Sequence, residues 1–248
     1  MSVELRVASF NIRNGRAFDG WNSWPFRRRA TLAAIADLRA TVVGLQEVYG
    51  FQYSWLARHL PDLAGYGVGR TNGRAGERCP VFVERARGRI VDPATRWYGA
   101  TPDRAGSRLE GASFPRVATI VRVELDGVTI TVANTHLDEK RAANREQSVR
   151  QLLEWASPAT PLVVMGDLNA RPDAAALAQF DRAGLRSALA ADAGGTGHDF
   201  TGRVDGPRID HIYVSEHFDV VASRVAHGAA GARLPSDHWP IVADLRLR

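Results

Sequence analysis

Leu162-Val163-Val164-Met165-Gly166-Asp167-Leu168-Asn169 is an apolar run that ends in a carboxylate and an amide. Its four consecutive apolar residues read as a short buried strand. Asp167 and Asn169 stand two apart, so in extended geometry they point the same way. A carboxylate there can take a proton from water or hold a metal, and an amide can orient water or a phosphate oxygen. A core strand also holds such groups rigidly, as a reactive site requires.

The same pattern recurs outward from this stretch. Asn11 closes a strand read over Val3–Ile12, and Gln46-Glu47 closes the apolar run Val42–Leu45 within a strand over Thr41–Val48. Asn134-Thr135-His136-Leu137-Asp138 closes a β-branched strand over Val128–His136. Arg208-Ile209-Asp210-His211-Ile212 opens a strand over Ile209–Val214, and Ser236-Asp237-His238-Trp239-Pro240 opens the last one, Trp239–Leu247. Glu47 can hold a hard cation such as Mg²⁺. A histidine needs a carboxylate to fix its tautomer, and Asp210 is the candidate partner of His238. Each string has a plain alternative when taken singly: a turn Asn11, a solvated Glu47, a satisfied core His136, a surface Asp-His pair.

Between these strings, a helix is predicted from Pro25 to Arg39, with Phe26, Ala30, Ala33, Ala34 and Leu38 on its buried face. Further helices are predicted over Phe51–Leu60, Glu139–Ala156 and Ala174–Arg182. Strands are predicted over Val81–Glu84, Arg89–Asp92, Val117–Leu125 and Val220–Ala226, with Asp126-Gly127 as a hairpin turn. Asp92–Pro115, rich in Gly, Pro, Arg and Ser, reads as a long surface loop. Roughly ten strands and a few helices imply packed α and β layers. With 248 residues and no linker or repeat, one domain over 1–248 is expected.

The net charge of +5 suits an anionic partner, but the basic residues, all arginine except Lys140, are dispersed along the chain. A concentrated basic face for polynucleotide is therefore not evident. The single cysteine, Cys79, excludes an intrachain disulfide and a multi-cysteine zinc site, and it reads as a structural thiol. Neither a signal peptide nor a run of 18 apolar residues is visible, so a cytoplasmic protein without membrane insertion is expected, as a monomer.

The ordered set of strings from Asn11 to His238 resembles the endonuclease/exonuclease/phosphatase superfamily, the DNase I-like metal-dependent phosphohydrolases. The resemblance implies an α/β fold: a four-layer sandwich of two packed mixed β-sheets flanked by helices. It implies that Asn11, Glu47 and Asp237 bind Mg²⁺ or Mn²⁺. It also implies that His136 contacts the scissile phosphate, that Asp167 and Asn169 activate and orient water, and that Asp210 and His238 form a supporting dyad. Many relatives carry an acidic residue two positions after the first Asn, where this chain has Arg13. Asp19 to Trp24, Glu77-Arg78-Cys79-Pro80, Pro115 to Thr119 and His198-Asp199-Phe200 resemble one bacterial subgroup. Arg116 can grip a phosphate bidentately, or be a solvated strand-start charge. His198 can line the pocket, or be a loop histidine. Trp24 and Trp97 read as packing residues. The expected activity is metal-dependent hydrolysis of a phosphate ester by in-line attack of water. A phosphodiesterase or nuclease-like enzyme leads, with nucleic acid as a candidate partner. A phosphomonoesterase of a sugar, inositol or lipid phosphate is the alternative, and an inactive binding protein is the third reading.

Overall fold

The computed structural model describes residues 3–228 and 233–248. In chain order the elements are β1 (Glu4–Asn11), α1 (Trp24–Asp37), β2 (Val42–Gln46), α2 (Gly50–His59), β3 (Leu63–Tyr66), β4 (Val81–Glu84), β5 (Gly88–Trp97) and β6 (Val117–Leu125). They continue with β7 (Val128–His136), α3 (Ala142–Trp155), β8 (Leu162–Asp167), α4 (Ala178–Arg182), β9 (Arg186–Ser187), β10 (Asp210–Val214), β11 (Phe218–Val225) and β12 (Ile241–Leu247).

The strands form two mixed sheets, ordered β11-β12-β1-β2-β4-β3 and β5-β6-β7-β8-β10-β9. Each has a parallel pair at its centre, β1 with β2 and β7 with β8, and antiparallel neighbours elsewhere. Alternation sorts each strand between two cores. Leu5, Val7, Val42, Val132, Val163, Met165 and Ile212 fill the space between the sheets. Ala8, Phe10, Val43 and Leu45 instead meet Trp24, Ala34 and Ile35 of α1 and Leu56 of α2. On the far side, Ala133, Leu162, Val164 and Tyr213 meet Val149 and Leu152 of α3 and Phe180 of α4. The result is four layers, helix–sheet–sheet–helix, as the resemblance implied. At Gly44 the sheets come so close that a Cβ would lie 2.5 Å from Met165 Sδ.

Several elements differ from the sequence reading. The strand expected to stop at Asp92 continues to Trp97, so the irregular segment starts after it. Asp92 takes a positive φ of 44°, the register slips between Val91 and Ala94, and pairing with β6 then resumes. Pro93 is tolerated because β5 lies at a sheet edge, at a bulge. Edge strands β3 and β9 were not anticipated. The last strand begins at Ile241 and α3 begins at Ala142. The buried stripe of α1 is Trp24, Arg27, Thr31, Ala34 and Ile35, and Phe26 is exposed. Polarity misdirected that assignment, because Arg27 is buried on hydrogen bonds rather than excluded to water. Among the described residues, no helix is long and apolar enough to cross a membrane.

Candidate active site

The polar strand ends share the phase of the inter-sheet core. Leu5 and Val7 precede Ser9 and Asn11, Ile130 and Val132 precede Asn134 and His136, and Val163 and Met165 precede Asp167, each at steps of two. Period-two geometry therefore carries Asn11, His136 and Asp167 onto the inner faces. The two central parallel pairs run their C-terminal ends to the same edge. Register places Asn11 beside Gln46, His136 beside Asp167, and Asp167 opposite Asp210. Just below that edge the sheets are tied together: Gln46 Nε2 donates to Asn134 Oδ1 at 2.7 Å and to Ser9 Oγ at 3.0 Å.

Asn11 joins the sheets at the edge itself. Its Nδ2 donates to Glu47 Oε1 at 3.0 Å and to Asp167 Oδ2 at 2.9 Å, while its Oδ1 accepts from the Arg13 backbone N–H at 2.9 Å. Glu47 Oε2 accepts from the Asn14 N–H at 2.8 Å and from Asn14 Nδ2 at 3.2 Å. Asn169 donates its backbone N–H to Asp167 Oδ1 at 3.0 Å and its Nδ2 to the Leu137 carbonyl. His238 Nδ1 lies 2.8 Å from Asp210 Oδ2, and its Nε2 lies 3.9 Å from Asp167 Oδ2. His136 Nε2 reaches the same Asp167 oxygen at 3.5 Å.

This edge is held under backbone strain. Arg13, Glu47 and Asn169 have positive φ values of 55°, 62° and 48°. Such conformations cost roughly 1–3 kcal/mol each for non-glycine residues and gather at functional sites. Gly166, before Asp167, has φ 152°, and a Cβ there would sit 1.9 Å from the Thr135 carbonyl oxygen. Only glycine lets β7 and β8 close at that point.

Burial and neighbours set the charges. Burial, reinforced by the charge of Asp210, pushes the Asp167 carboxyl up to about 7. Burial opposes the imidazolium of His238, yet Asp210, Asp167 and Asp237 together hold it well above the usual histidine range. His136 is held well below that range by burial and by the nearby Arg116 and Arg70. The two histidines thus face Asp167 in opposite states, one cationic and one neutral.

The remaining predicted residues lie around this centre. Asp237 accepts from Ser236 Oγ at 3.1 Å and faces Arg13 Nη1 at 3.4 Å. Arg13 also pairs with Asp19 at 2.9 Å. Arg116 lines a crevice with Glu47 and His136 and pairs with Glu139. His198 is buried, its backbone N–H donates to the Asp237 carbonyl, and its ring packs 4.4 Å from that of Trp239. Trp24 and Trp97 are buried packing residues.

Two residues went unremarked in the sequence. Arg70 lines the crevice with Arg116. Arg27, fully buried, donates to the carbonyls of Ile12, Arg13, Asn22 and Pro235. Burial lowers its guanidinium to about 10. It fastens the strand end after Asn11 to the segment that leads into Asp237 and His238. The available signal was spacing: Trp24, Arg27, Thr31 and Ile35 lie on one helical stripe.

The donor set fits a hard divalent cation. Glu47, His136 and Asp167 each offer an atom within 4.8 Å of the others. Glu47 is hydrogen-bonded by amide donors, and among the described residues no Arg, Lys or His nitrogen lies within 4.0 Å of its oxygens. Carboxylate and amide oxygens are the ligands Mg²⁺ prefers.

A model of the Endonuclease/Exonuclease/phosphatase family matches residues 8–238. Three solved structures share the fold. An endonuclease/exonuclease/phosphatase from Bacteroides vulgatus is 29% identical with a TM-score of 0.89, over 99% of this chain and 100% of that one. A mannosyl-6-phosphatase from Bacteroides thetaiotaomicron is 26% identical with a TM-score of 0.88, over 97% and 99%. The TDP2 protein of D. rerio, in complex with a single-strand DNA product, is 17% identical with a TM-score of 0.75, over 98% of each chain, a likeness of fold. No curated protein sequence matches.

Proposed function

Because the chain belongs to the endonuclease/exonuclease/phosphatase family, whose members hydrolyse phosphoesters, we propose that it is a divalent-metal-dependent phosphate-ester hydrolase. The observation that carries this reading is the convergence of Asn11, Glu47, His136, Asp167, Asp210 and His238 on one edge of the paired sheets. A Mg²⁺ or Mn²⁺ ion held by Glu47 would neutralise charge on the phosphoryl oxygens; the other two expected ligands are engaged as the site stands, Asn11 turning its Nδ2 to Glu47 and Asp237 facing Arg13.

The chain's own groups supply the rest. Asp167 takes a proton from water as its oxygen attacks phosphorus, and Asn169, fixed on the Asp167 carboxylate and the Leu137 carbonyl, holds that water in line. His238 lies between the carboxylates of Asp210 and Asp167, so it carries a proton and gives it to the departing alkoxide. His136, neutral, hydrogen-bonds a phosphoryl oxygen as its charge grows. Arg27 and Asn11 keep the two ends of the chain in register. One ester P–O bond breaks, one water P–O bond forms, and the proton balance closes between Asp167 and His238.

The test is a panel of p-nitrophenyl phosphate, bis-p-nitrophenyl phosphate and labelled DNA and RNA, with Mg²⁺, with Mn²⁺ and with chelator. Hydrolysis of at least one ester should depend on the metal and vanish in Asp167→Ala and His238→Ala. The nuclease-like reading drawn from the sequence stands or falls on the polynucleotide arms. Metal-independent turnover, or near-normal rates in either purified variant, would remove the mechanism.

A further inference from the structure

Phe18, Trp21 and Phe26, between the end of β1 and the first turn of α1, are 97%, 76% and 51% exposed. Single apolar side chains on a surface are ordinary, but large aromatic ones grouped together mark a face that something else covers. Trp21 and Phe26 touch, with ring centroids 5.2 Å apart at 53°, and Phe18 stands across the Asp19-Gly20 turn from Trp21. Looseness does not account for this exposure, because the backbone is fastened at three points. Asp19 pairs with Arg13 at 2.9 Å, the Asn22 carbonyl accepts from buried Arg27 at 2.8 Å, and the Trp21 carbonyl accepts from Arg233 at 2.6 Å. The rings project from a fixed base.

The ground around them is cationic. Asp19 is the sole acid between Ile12 and Ala30, and Arg13 neutralises it. Arg16 lies two residues before Phe18, Arg29 three residues after Phe26 on α1, and Arg233 at the Trp21 carbonyl. All three are exposed, and no carboxylate pairs with them among the described residues. We propose that this patch seats the protein on the surface of an anionic phospholipid membrane, with Phe18, Trp21 and Phe26 in the headgroup–acyl boundary and the three guanidinium groups on lipid phosphates. Tryptophan and phenylalanine settle at that boundary, and each basic residue near an anionic surface adds to the attraction. Charge and shape disfavour other occupants. A second copy of the chain would set like guanidinium groups face to face. A single nucleic-acid strand stacks its bases on flat rings laid along a groove, whereas Trp21 and Phe26 lean on each other and Phe18 stands clear of any wall. This is attachment without a membrane span, and it stands apart from the hydrolase reading. A membrane held there lies beside the candidate site, because Arg13, which holds Asp19, also faces Asp237 at 3.4 Å.

The deciding experiment sediments the full chain, without added metal, with vesicles of phosphatidylcholine alone and of an equal mixture with phosphatidylglycerol, at low and high salt. We expect binding to the anionic vesicles at least about 10-fold stronger than to the neutral ones, weakening as salt rises. Phe18→Ser combined with Trp21→Ser should cut that binding by at least about 10-fold. Arg16→Gln, Arg29→Gln and Arg233→Gln should each cut it by about 5-fold. Brominated lipid should quench tryptophan emission of the parent and quench that of Trp21→Phe far less. The comparison of vesicle types needs no variant, so a misfolded variant leaves the test intact. Absent binding to anionic vesicles, equal binding to neutral ones, or unchanged binding in the aromatic variant overturns the proposal. A doubled mass in light scattering without lipid, lost in Trp21→Ser, gives the patch to a second copy and overturns it too. So does tighter binding to a labelled single-stranded oligonucleotide than to anionic vesicles, lost in the same variant. The hydrolase reading survives each of these outcomes, since none of them measures turnover.

Discussion

Replacing Asp210 with Asn separates charge from shape at the centre of the site. Asp210 is fully buried, its Oδ2 lies 2.8 Å from His238 Nδ1, and its backbone N–H donates to Thr196 Oγ1. Asn keeps the volume and an oxygen that can accept from Nδ1, so the fold should persist. What disappears is the charge that opposes desolvation of the imidazolium. A hydrogen bond to a charged group is worth about 1.5–3 kcal/mol against about 1 for a neutral one, and the residual Coulomb attraction adds to that difference. His238 should therefore lose its proton at lower pH than in the parent. The same substitution removes one of the two influences that raise Asp167, so while His238 stays protonated that carboxyl should fall below its present value of about 7. A carboxylate base works ionised, above its own pKa. Lowering that pKa therefore moves the acid limb of the pH–rate profile to lower pH, while the limb that needs His238 protonated also moves down. The profile should shift downward as a whole, and maximal turnover should drop by about 10²–10⁴. Ring-proton NMR of His238 in metal-free protein and pH profiles with saturating Mg²⁺ measure the two effects separately. An Asn variant with His238 titrating unchanged and turnover within threefold of the parent would refute the dyad.

Other perturbations test the frame around the site. Arg27→Met leaves the carbonyls of Ile12, Arg13, Asn22 and Pro235 without their shared donor and should cost at least about 3 kcal/mol in urea unfolding, with turnover falling further than stability because Asp237 and His238 lose their anchor. Lower stability with normal kcat would limit Arg27 to a packing role. Gly166→Ala drives a Cβ against the Thr135 carbonyl at 1.9 Å and should destabilise by about 3 kcal/mol or more, or yield insoluble protein. A variant as stable as the parent would show that β7 and β8 part easily there. Saturating Mg²⁺, at about 100 times its Kd, should stabilise by about 2.7 kcal/mol and raise the melting temperature by roughly 5–10 °C. Glu47→Gln should erase most of that rise, and an undiminished shift would place the cation elsewhere.

Much of the site was legible because strand periodicity and strand-end polarity are local. Val163, Met165 and Asp167 fall on one face by simple alternation, and the same count sets Asn11 after Val7 and His136 after Val132. What misled the reading were places where a local rule met a distant partner. Asp92-Pro93 looks like a stop, yet β6 supplies a ladder on both sides of the bulge. Arg27 looks like a solvent residue, yet four carbonyls satisfy it inside.

The sequence by itself determined that residues two apart on a strand share a face, and that carboxylates, amides and histidines stand at the strand ends. Hydrophobic alternation needs only neighbouring residues to be read. Only the tertiary structure decided that β1 lies parallel to β2 and β7 to β8 with their ends at one edge, and that Arg70 and Arg116 share a crevice beside Glu47. Those outcomes depend on how whole sheet faces cover one another and on polar groups finding partners across the chain. The burial that raises Asp167, and the carboxylates that hold the proton on His238 against burial, come together only once both sheets have closed over them.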